Sequence, residues 1–193
     1  MCNGRATIYA KPAIEPLTLS QVLAHTHADS GPEDDTLLLY LEAARLKAEE
    51  YQRRAYINQT IDCIFDEYPD TPILLPMSPV SEVTSIKIYD TEDTETSLDL
   101  DNFNIDYASD PARISHNYSL TWPTTMLRPS GGLVIRYTAG YGATASDVPA
   151  TARMAILLLV GFWYDKKGMD QDPPKAFYDL LRPDRLKLGQ KDD

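Results

Sequence analysis

Two periodicities divide the chain. From about Glu33 to Tyr56 the apolar positions Leu37, Leu41, Ala44, Ala48, Tyr51 and Ala55 recur at alternating steps of four and three. That spacing holds one face of a helix against a partner and predicts a long helix over 33–56. Glu33, Asp34 and Asp35 suit its positive N-terminus, and Glu49–Arg53 and Glu50–Arg54 form acid-first i,i+4 pairs on its outer face. The small Ala44 and Ala48 let another helix approach closely. From Ile57 the period falls to two: Ile57, Gln59, Ile61, Cys63 and Phe65 share one face, Asn58, Thr60, Asp62 and Asp66 the other. Further strands are expected over Val83–Tyr89, Phe103–Ala108 with Phe103, Ile105 and Tyr107 inward, and Leu133–Thr138. Shorter pieces fit Ile73–Leu75 and Ala112–Ser115. Turn-rich joins such as Tyr68-Pro69-Asp70, Asp110-Pro111 and Ser130-Gly131-Gly132 separate them.

Helices return at both ends of the pattern. Thr18 and Gln21 have the spacing of a reciprocal N-cap for a short helix over about 18–28. A second core helix runs from Ala150 to about Lys167, with Asp147 as candidate N-cap and Pro149 in its first turn. Met154, Ile156, Leu157, Leu158, Leu159, Val160, Phe162 and Trp163 make it apolar nearly all round, so it is buried on most sides or covered by a neighbouring subunit. Lys175–Leu181 form a last short helix, stopped at Pro183. The fold class is therefore α+β. A helical core carries an inserted small antiparallel sheet or sandwich over about 57–138, between an irregular arm (1–17) and a charged tail (184–193).

Composition narrows the function classes. The chain has 193 residues, 43% hydrophobic and 24% charged, with a formal charge of −11, a globular composition that excludes wholesale disorder. Residues 61–150 hold only Lys87, Arg113, Arg128 and Arg136 against 14 acids, a balance of −10. Gripping nucleic-acid phosphates needs the opposite excess. The bland reading is a self-repelling, soluble surface; the sharper one is a surface that avoids sticking to something anionic. Cys2 and Cys63 are too few for a disulfide framework. No apolar h-region follows Met1, and the longest apolar run, Met154 to Tyr164, is shorter than the ~20 residues of a bilayer span. A cytosolic site of synthesis and no membrane partner are expected.

Candidate chemistry fails on spacing. Gly140-Tyr141-Gly142-Ala143-Thr144-Ala145 matches a dinucleotide string, but Ser146–Pro149 separate it from the helix whose N-terminus would face the pyrophosphate. Two glycines permitting positive φ in a strand-to-helix turn account for it. The acids Asp90, Glu92, Asp93, Glu95, Asp99 and Asp101 do not follow a calcium-loop pattern, since Phe103 and Asn104 fall where an oxygen ligand and a glycine belong. They read as an acid-coated hairpin tip. His25 and His27 diverge by about 200° on a helix and cannot share a metal; His116 stands alone, and Cys63 lies on an apolar strand face with no basic neighbour. No catalytic residue, cofactor or metal site is expected, and a metal-dependent hydrolase using the acids is the weakest class.

One block is more specific. Leu133-Val134-Ile135-Arg136-Tyr137-Thr138-Ala139-Gly140-Tyr141-Gly142, then Asp147-Val148-Pro149, then Ala155 through Tyr164 resembles the core of the head–tail connector (adaptor or head-completion) proteins of long-tailed bacteriophages. Leu17-Thr18-Leu19, the helix ending Tyr51-Gln52-Arg53-Arg54-Ala55-Tyr56, Pro72–Pro79 with Val83-Thr84-Ser85-Ile86, Trp122-Pro123 and Leu180-Leu181-Arg182-Pro183 follow in the family's order, so the resemblance spans about 17–183. It implies a connector domain over 18–183 and a non-enzymatic virion protein at the head–tail junction, made in the host bacterial cytoplasm. It further implies a homo-oligomeric ring, commonly twelvefold, beneath the portal protein, extending the channel for double-stranded DNA and docking stopper or tail proteins. On that reading Trp163, Tyr164, Phe177, Tyr178, Leu181, Arg182 and Arg185 are candidates for the oligomer or portal interface. Asp90, Glu92, Asp93, Glu95, Asp99 and Asp101 are candidates for a channel or rim surface. A small cytosolic protein-binding module using a sheet edge is the alternative.

Overall fold

The computed structural model describes residues 4–118, 120–166 and 172–186. The chain is α+β and its described residues divide into two compact units: a β unit drawn from residues 4–12, 58–140 and Leu186, and a helical unit drawn from 13–57 and 141–185. Residues 187–193 of the expected charged tail lie outside the described residues.

The helical unit contains α1 (Leu19–Thr26), α2 (Asp34–Gln52), α3 (Ala150–Lys166) and α4 (Lys175–Leu181). Helix α3 packs against the other three. Thr18 and Gln21 form the expected reciprocal cap: the Gln21 amide donates to Thr18 Oγ1 (3.3 Å) and the Thr18 amide to Gln21 Oε1 (2.9 Å). The stripe Leu37, Leu41, Ala44 and Ala48 is buried together with Ala152, Ala155, Ile156, Leu159, Val160 and Trp163 of α3. The all-round apolarity of α3 is only partly used, because Met154 is exposed and Leu157 and Leu158 are half-buried.

Four local expectations are corrected. Helix α2 stops at Gln52 rather than Tyr56, because Arg53 turns left-handed (φ 57°) and caps the end. Glu49 does not stay on the outer face with Arg53. It is buried and takes Arg45 Nη1 at 2.7 Å, while Arg45 Nε reaches Glu15 at 2.7 Å. Arg54 Nε, the other basic residue of the expected outer pairs, donates to the Asp184 carbonyl. Asp147 caps no part of α3: it ends a 3₁₀ turn (Ala145–Asp147), accepting from the Thr144 amide and hydroxyl, both at 2.8 Å, and Pro149 supplies the carbonyl that receives the Arg153 amide.

Arg45 is the most costly side chain in this unit. Burial alone would lower its pKa, but Glu15 and Glu49 overrule that and hold it above its ordinary value; burial pushes the Glu49 carboxyl up against the pull of Arg45. Glu49 Oε1 also accepts the Tyr56 amide at 2.8 Å, Tyr56 donates its hydroxyl to Gln52 Oε1 at 2.7 Å, and Gln52 Nε2 donates to the Leu181 carbonyl at 2.7 Å. No member of this relay leaves a partnerless charge in the core.

The β unit holds two antiparallel sheets. The strands are β1 (Arg5–Ala10), β2 (Gln59–Phe65), β3 (Ile73–Leu74), β4 (Val80–Tyr89), β5 (Glu95–Leu98), β6 (Phe103–Asp106), β7 (Arg113–His116) and β8 (Leu133–Ala139). One sheet runs β1-β2-β8-β4-β5, the other β3-β7-β6. The arm expected to be irregular is thus partly an edge strand: β1 pairs antiparallel with β2, Arg5 opposite Ile64 and Ala10 opposite Thr60. Residues Gln59, Ile61, Cys63 and Phe65 alternate inward as expected; Ile57 precedes the strand and instead bridges to Gly142 within the helical unit. Tyr107, expected to point inward, is exposed and lies beyond β6, its hydroxyl accepting from the Val83 amide at 3.1 Å. Strand β4 begins three residues before the expected Val83. Register shifts between Val80 and Glu82 and between Val83 and Ser85 set two extra residues against β8, so Val80, Val83 and Ile86 all face inward at steps of three. Of the two turn glycines, only Gly140 has a positive φ (150°), and a Cβ there would lie 2.5 Å from the Asn58 nitrogen. Gly142 is excluded from carrying a side chain by the Asp147 carboxylate.

The long segment between β7 and β8 is anchored by an aromatic cluster. Trp122 stacks on Tyr68 with centroids 5.1 Å apart, meets His116 edge-on at 4.6 Å and tilts against Phe103 at 5.6 Å. Its Nε1 donates to the Pro69 carbonyl at 2.9 Å, and the Tyr68 hydroxyl donates to the Thr125 carbonyl at 3.1 Å. Burial lowers the His116 pKa below its ordinary value.

Three outcomes follow from this packing. Arg45→Ala strands Glu49 and lowers unfolding free energy by about 3–5 kcal/mol, read by urea denaturation. Trp163→Ala removes a buried core ring at a cost of about 3–5 kcal/mol; unchanged melting would mean that the α3 packing is not what holds the unit. Because the folded protein prefers neutral His116, its stabilising share is present above pH ~6.5 and is lost as the unfolded chain takes up the proton below that. Melting temperature should therefore fall more between pH 8 and pH 5 for the wild type than for His116→Phe.

Candidate interaction surfaces

The seven candidates at the end of the helical unit separate by burial. Trp163, Phe177 and Leu181 are buried in its core, which takes them out of reach of a partner in this arrangement. The rest remain accessible. Tyr164 is half-buried and donates its hydroxyl to Glu33 at 2.9 Å, an interaction that raises its pKa. Tyr178 is half-buried and meets Tyr51 edge-on at 5.0 Å. Exposed Arg182 lies 3.6 Å from Asp179, and exposed Arg185 holds its guanidinium 4.9 Å from the centre of the Tyr51 ring. Tyr51, half-buried on the predicted α2 stripe, thus carries both Tyr178 and Arg185.

The six acids cluster along and beside β5, the edge strand opposite β1 in the five-stranded sheet. Several have local structural work. Asp90 Oδ1 accepts the Glu92 and Thr94 amides, both at 2.9 Å, and closes the hairpin; Asp99 Oδ1 accepts the Asp101 amide at 3.0 Å. Asp93, at φ 63°, pairs with Arg128 at 3.1 Å. Glu95 takes Lys87 at 2.6 Å and the Tyr89 hydroxyl at 2.7 Å, and these bonds, Lys87 first, hold its carboxyl below the usual range. Asp90 is half-buried and the other five are exposed. Among the described residues, no group of three or more His, Cys, Asp or Glu is placed to hold a metal ion.

The polar face of the same sheet has its own charge pattern. Arg136 and Asp62, directly opposite on β8 and β2, make a two-pronged ion pair at 2.7 and 2.8 Å. Exposed Tyr9 of β1 lies over the guanidinium at 3.3 Å. The Asp62 bonds raise the Arg136 pKa above its ordinary value. Three of the four basic residues of 61–150, Lys87, Arg128 and Arg136, are therefore neutralised on this sheet, and the fourth, Arg113, pairs with Asp106 at 2.6 Å. An anion meets no unpaired cation among them.

Sequence reasoning passed over a group of exposed apolar side chains between β7 and β8. Tyr118 is fully exposed, Met126 is 75% exposed and Leu120 is also open to solvent. Their signal was present: residues 114–127 are the longest stretch of the chain without Asp, Glu, Lys or Arg. In the helical unit Leu38, Leu39 and Leu46 of α2 are exposed together, as are Ile14 and Met154 elsewhere in that unit.

Comparison with solved structures gives the same fold in gene transfer agent (GTA) particles. The chain matches one in the neck of an empty GTA particle computed with C6 symmetry, with a TM-score of 0.77, 24% identity and coverage of 96% of this chain and 98% of that one. It matches one in the virion of a native gene transfer agent particle with a TM-score of 0.78, at the same identity and coverage. A third match, in the neck of a native GTA particle computed with C12 symmetry, has a TM-score of 0.65 and 24% identity over 95% of this chain and 99% of that one. No curated protein matches the sequence. The family description "head completion protein" matches residues 16–173, most of both helical segments and the whole of β2 to β8. The chain belongs to the head completion protein family, the head–tail connector family whose motifs its sequence carries.

Proposed function

We propose that this protein is a structural subunit of the head–tail junction of a phage-like particle, assembled as a homo-oligomeric ring of twelve beneath the portal. The ring extends the channel through which double-stranded DNA passes and offers its far face to a stopper or tail-completion protein. Synthesis takes place in the host bacterial cytoplasm, and the role has no catalytic step. The observation that carries this reading is the family match over residues 16–173. The shared fold with chains in particle necks computed with C6 and C12 symmetry supports a ring.

The charge pattern fits such a role. DNA that must slide past a protein is held up by unpaired Lys and Arg and repelled by acids. The acids Asp90, Glu92, Asp93, Glu95, Asp99 and Asp101 face or rim the channel in this reading. Tyr164, Tyr178, Arg182 and Arg185 remain as the accessible part of the surface toward the portal or the adjacent copy, with Trp163, Phe177 and Leu181 supporting them from below.

Native mass spectrometry and negative-stain imaging of the purified chain, with and without portal protein, test the reading. The expected result is a closed ring alone or on the portal, with twelve copies. A compact monomer indifferent to portal protein would overturn it in favour of a small binding module. A ring reconstruction with the 90–101 acids on its outer wall would remove the channel assignment alone.

A further inference from the structure

We propose that the loop following β7 is the anchor by which one copy grips the next: Tyr118, Leu120 and Met126 seat against Leu38, Leu39 and Leu46 on α2 of the adjacent copy. The inference rests on the ring reading and specifies its contact.

Three observations converge on this loop. First, it is held in place while its apolar groups face water. Trp122 is stacked on Tyr68 and tied to the Pro69 carbonyl, and Tyr68 is tied to the Thr125 carbonyl, so both sides of the segment are pinned. Yet Tyr118 and Met126 are 100% and 75% exposed. Anchoring a loop in advance lowers the ordering cost of binding, which is wasted on side chains left in solvent.

Second, electrostatics selects the contact. Copies of a β unit whose central segment, residues 58–140, holds 13 acids against four bases repel one another wherever charged faces meet. Residues 114–127 carry none of those charges, so this is where the β unit can touch another copy without burying an unpaired carboxylate.

Third, the same chain supplies a matching surface. A ring uses two different patches per subunit, one meeting the other on the next copy. Leu39 and Leu46 lie seven residues apart on one helical face of α2, with Leu38 beside them, and all three are exposed although α2 packs its opposite stripe on α3. A stable contact buries roughly 800 Å² per partner, so the loop is a central anchor within a wider interface, in the manner of aromatic hot spots.

The test uses the full-length chain. Tyr118→Asp with Met126→Asp, and separately Leu39→Asp with Leu46→Asp, should leave melting unchanged and raise the concentration for half-assembly roughly thirtyfold, by native mass spectrometry. In a Cys2→Ser background, mixing Met126→Cys protein with Leu46→Cys protein under mild oxidation should give a mixed disulfide dimer that neither gives alone. Normal rings from the loop variant would overturn the anchor and leave the ring reading standing. Loss of rings from the loop variant, with normal rings from the α2 variant and no mixed disulfide, would overturn α2 as the partner surface and put the loop against a different face of the adjacent copy. A wild type that stays monomeric with and without portal protein would overturn the ring reading and this contact together.

Discussion

The buried guanidinium of Arg45 is the constraint around which the helical unit is organised. A cation taken out of water must be matched, and here two carboxylates from distant positions match it: Glu15 from the segment before α1 and Glu49 one turn along α2. Glu49 then uses its second oxygen on the Tyr56 amide, which directs the chain after the left-handed Arg53. Tyr56 and Gln52 carry the relay to the Leu181 carbonyl at the end of α4. One desolvated charge thereby specifies how the entry segment, the end of α2 and the last helix meet. Leucines and alanines alone supply burial, but many packings of them are nearly equal in energy.

The β unit solves the opposite problem. Its acids outnumber its bases, so the few cations are spent in pairs: Arg136 with Asp62 across β8 and β2, Lys87 with Glu95 across β4 and β5, Arg128 with Asp93 at the hairpin. Each of these three cations is thus paired with a carboxylate of its own unit, and the net charge of residues 58–140 is negative. Directional cross-strand pairs hold the sheet's polar face together while leaving it unattractive to phosphate.

Much of this was legible in the residue pattern, and what escaped has physical causes. The four-three stripe from Leu37 to Ala48 and the alternation Gln59–Phe65 each report a single buried face, so α2 and β2 could be read directly. Strand β1 could not, because all six of its residues are exposed, so neither face carries a burial period. The two bulges in β4 turned alternation into steps of three around Val80 and Val83, hiding the start of the strand. Glu49 looked like a surface residue because the ion pair that buries it with Arg45 is completed by Glu15, thirty residues from Arg45 and outside any local window. Tyr118 and Met126 escaped for a different reason: the charge-free stretch 114–127 marks an uncharged segment but not whether its apolar side chains are buried or exposed.

The crossing points of the chain have a consequence for how such a protein can be built. Residues Ile57 and Gly142 bridge to one another, and the Tyr141 amide donates to the Tyr56 carbonyl at 3.1 Å. The helical unit therefore releases the chain and receives it back through a doorway one hydrogen bond wide. Whatever is strung between those positions, from a short linker to an eighty-residue sheet, leaves the ends of α2 and the approach to α3 in the same place. The β segment can be regarded as a cassette whose length, charge and loop decoration vary while the helices keep their packing, with the edge strand Arg5–Ala10 and Leu186 as the pieces outside it that belong to the same unit.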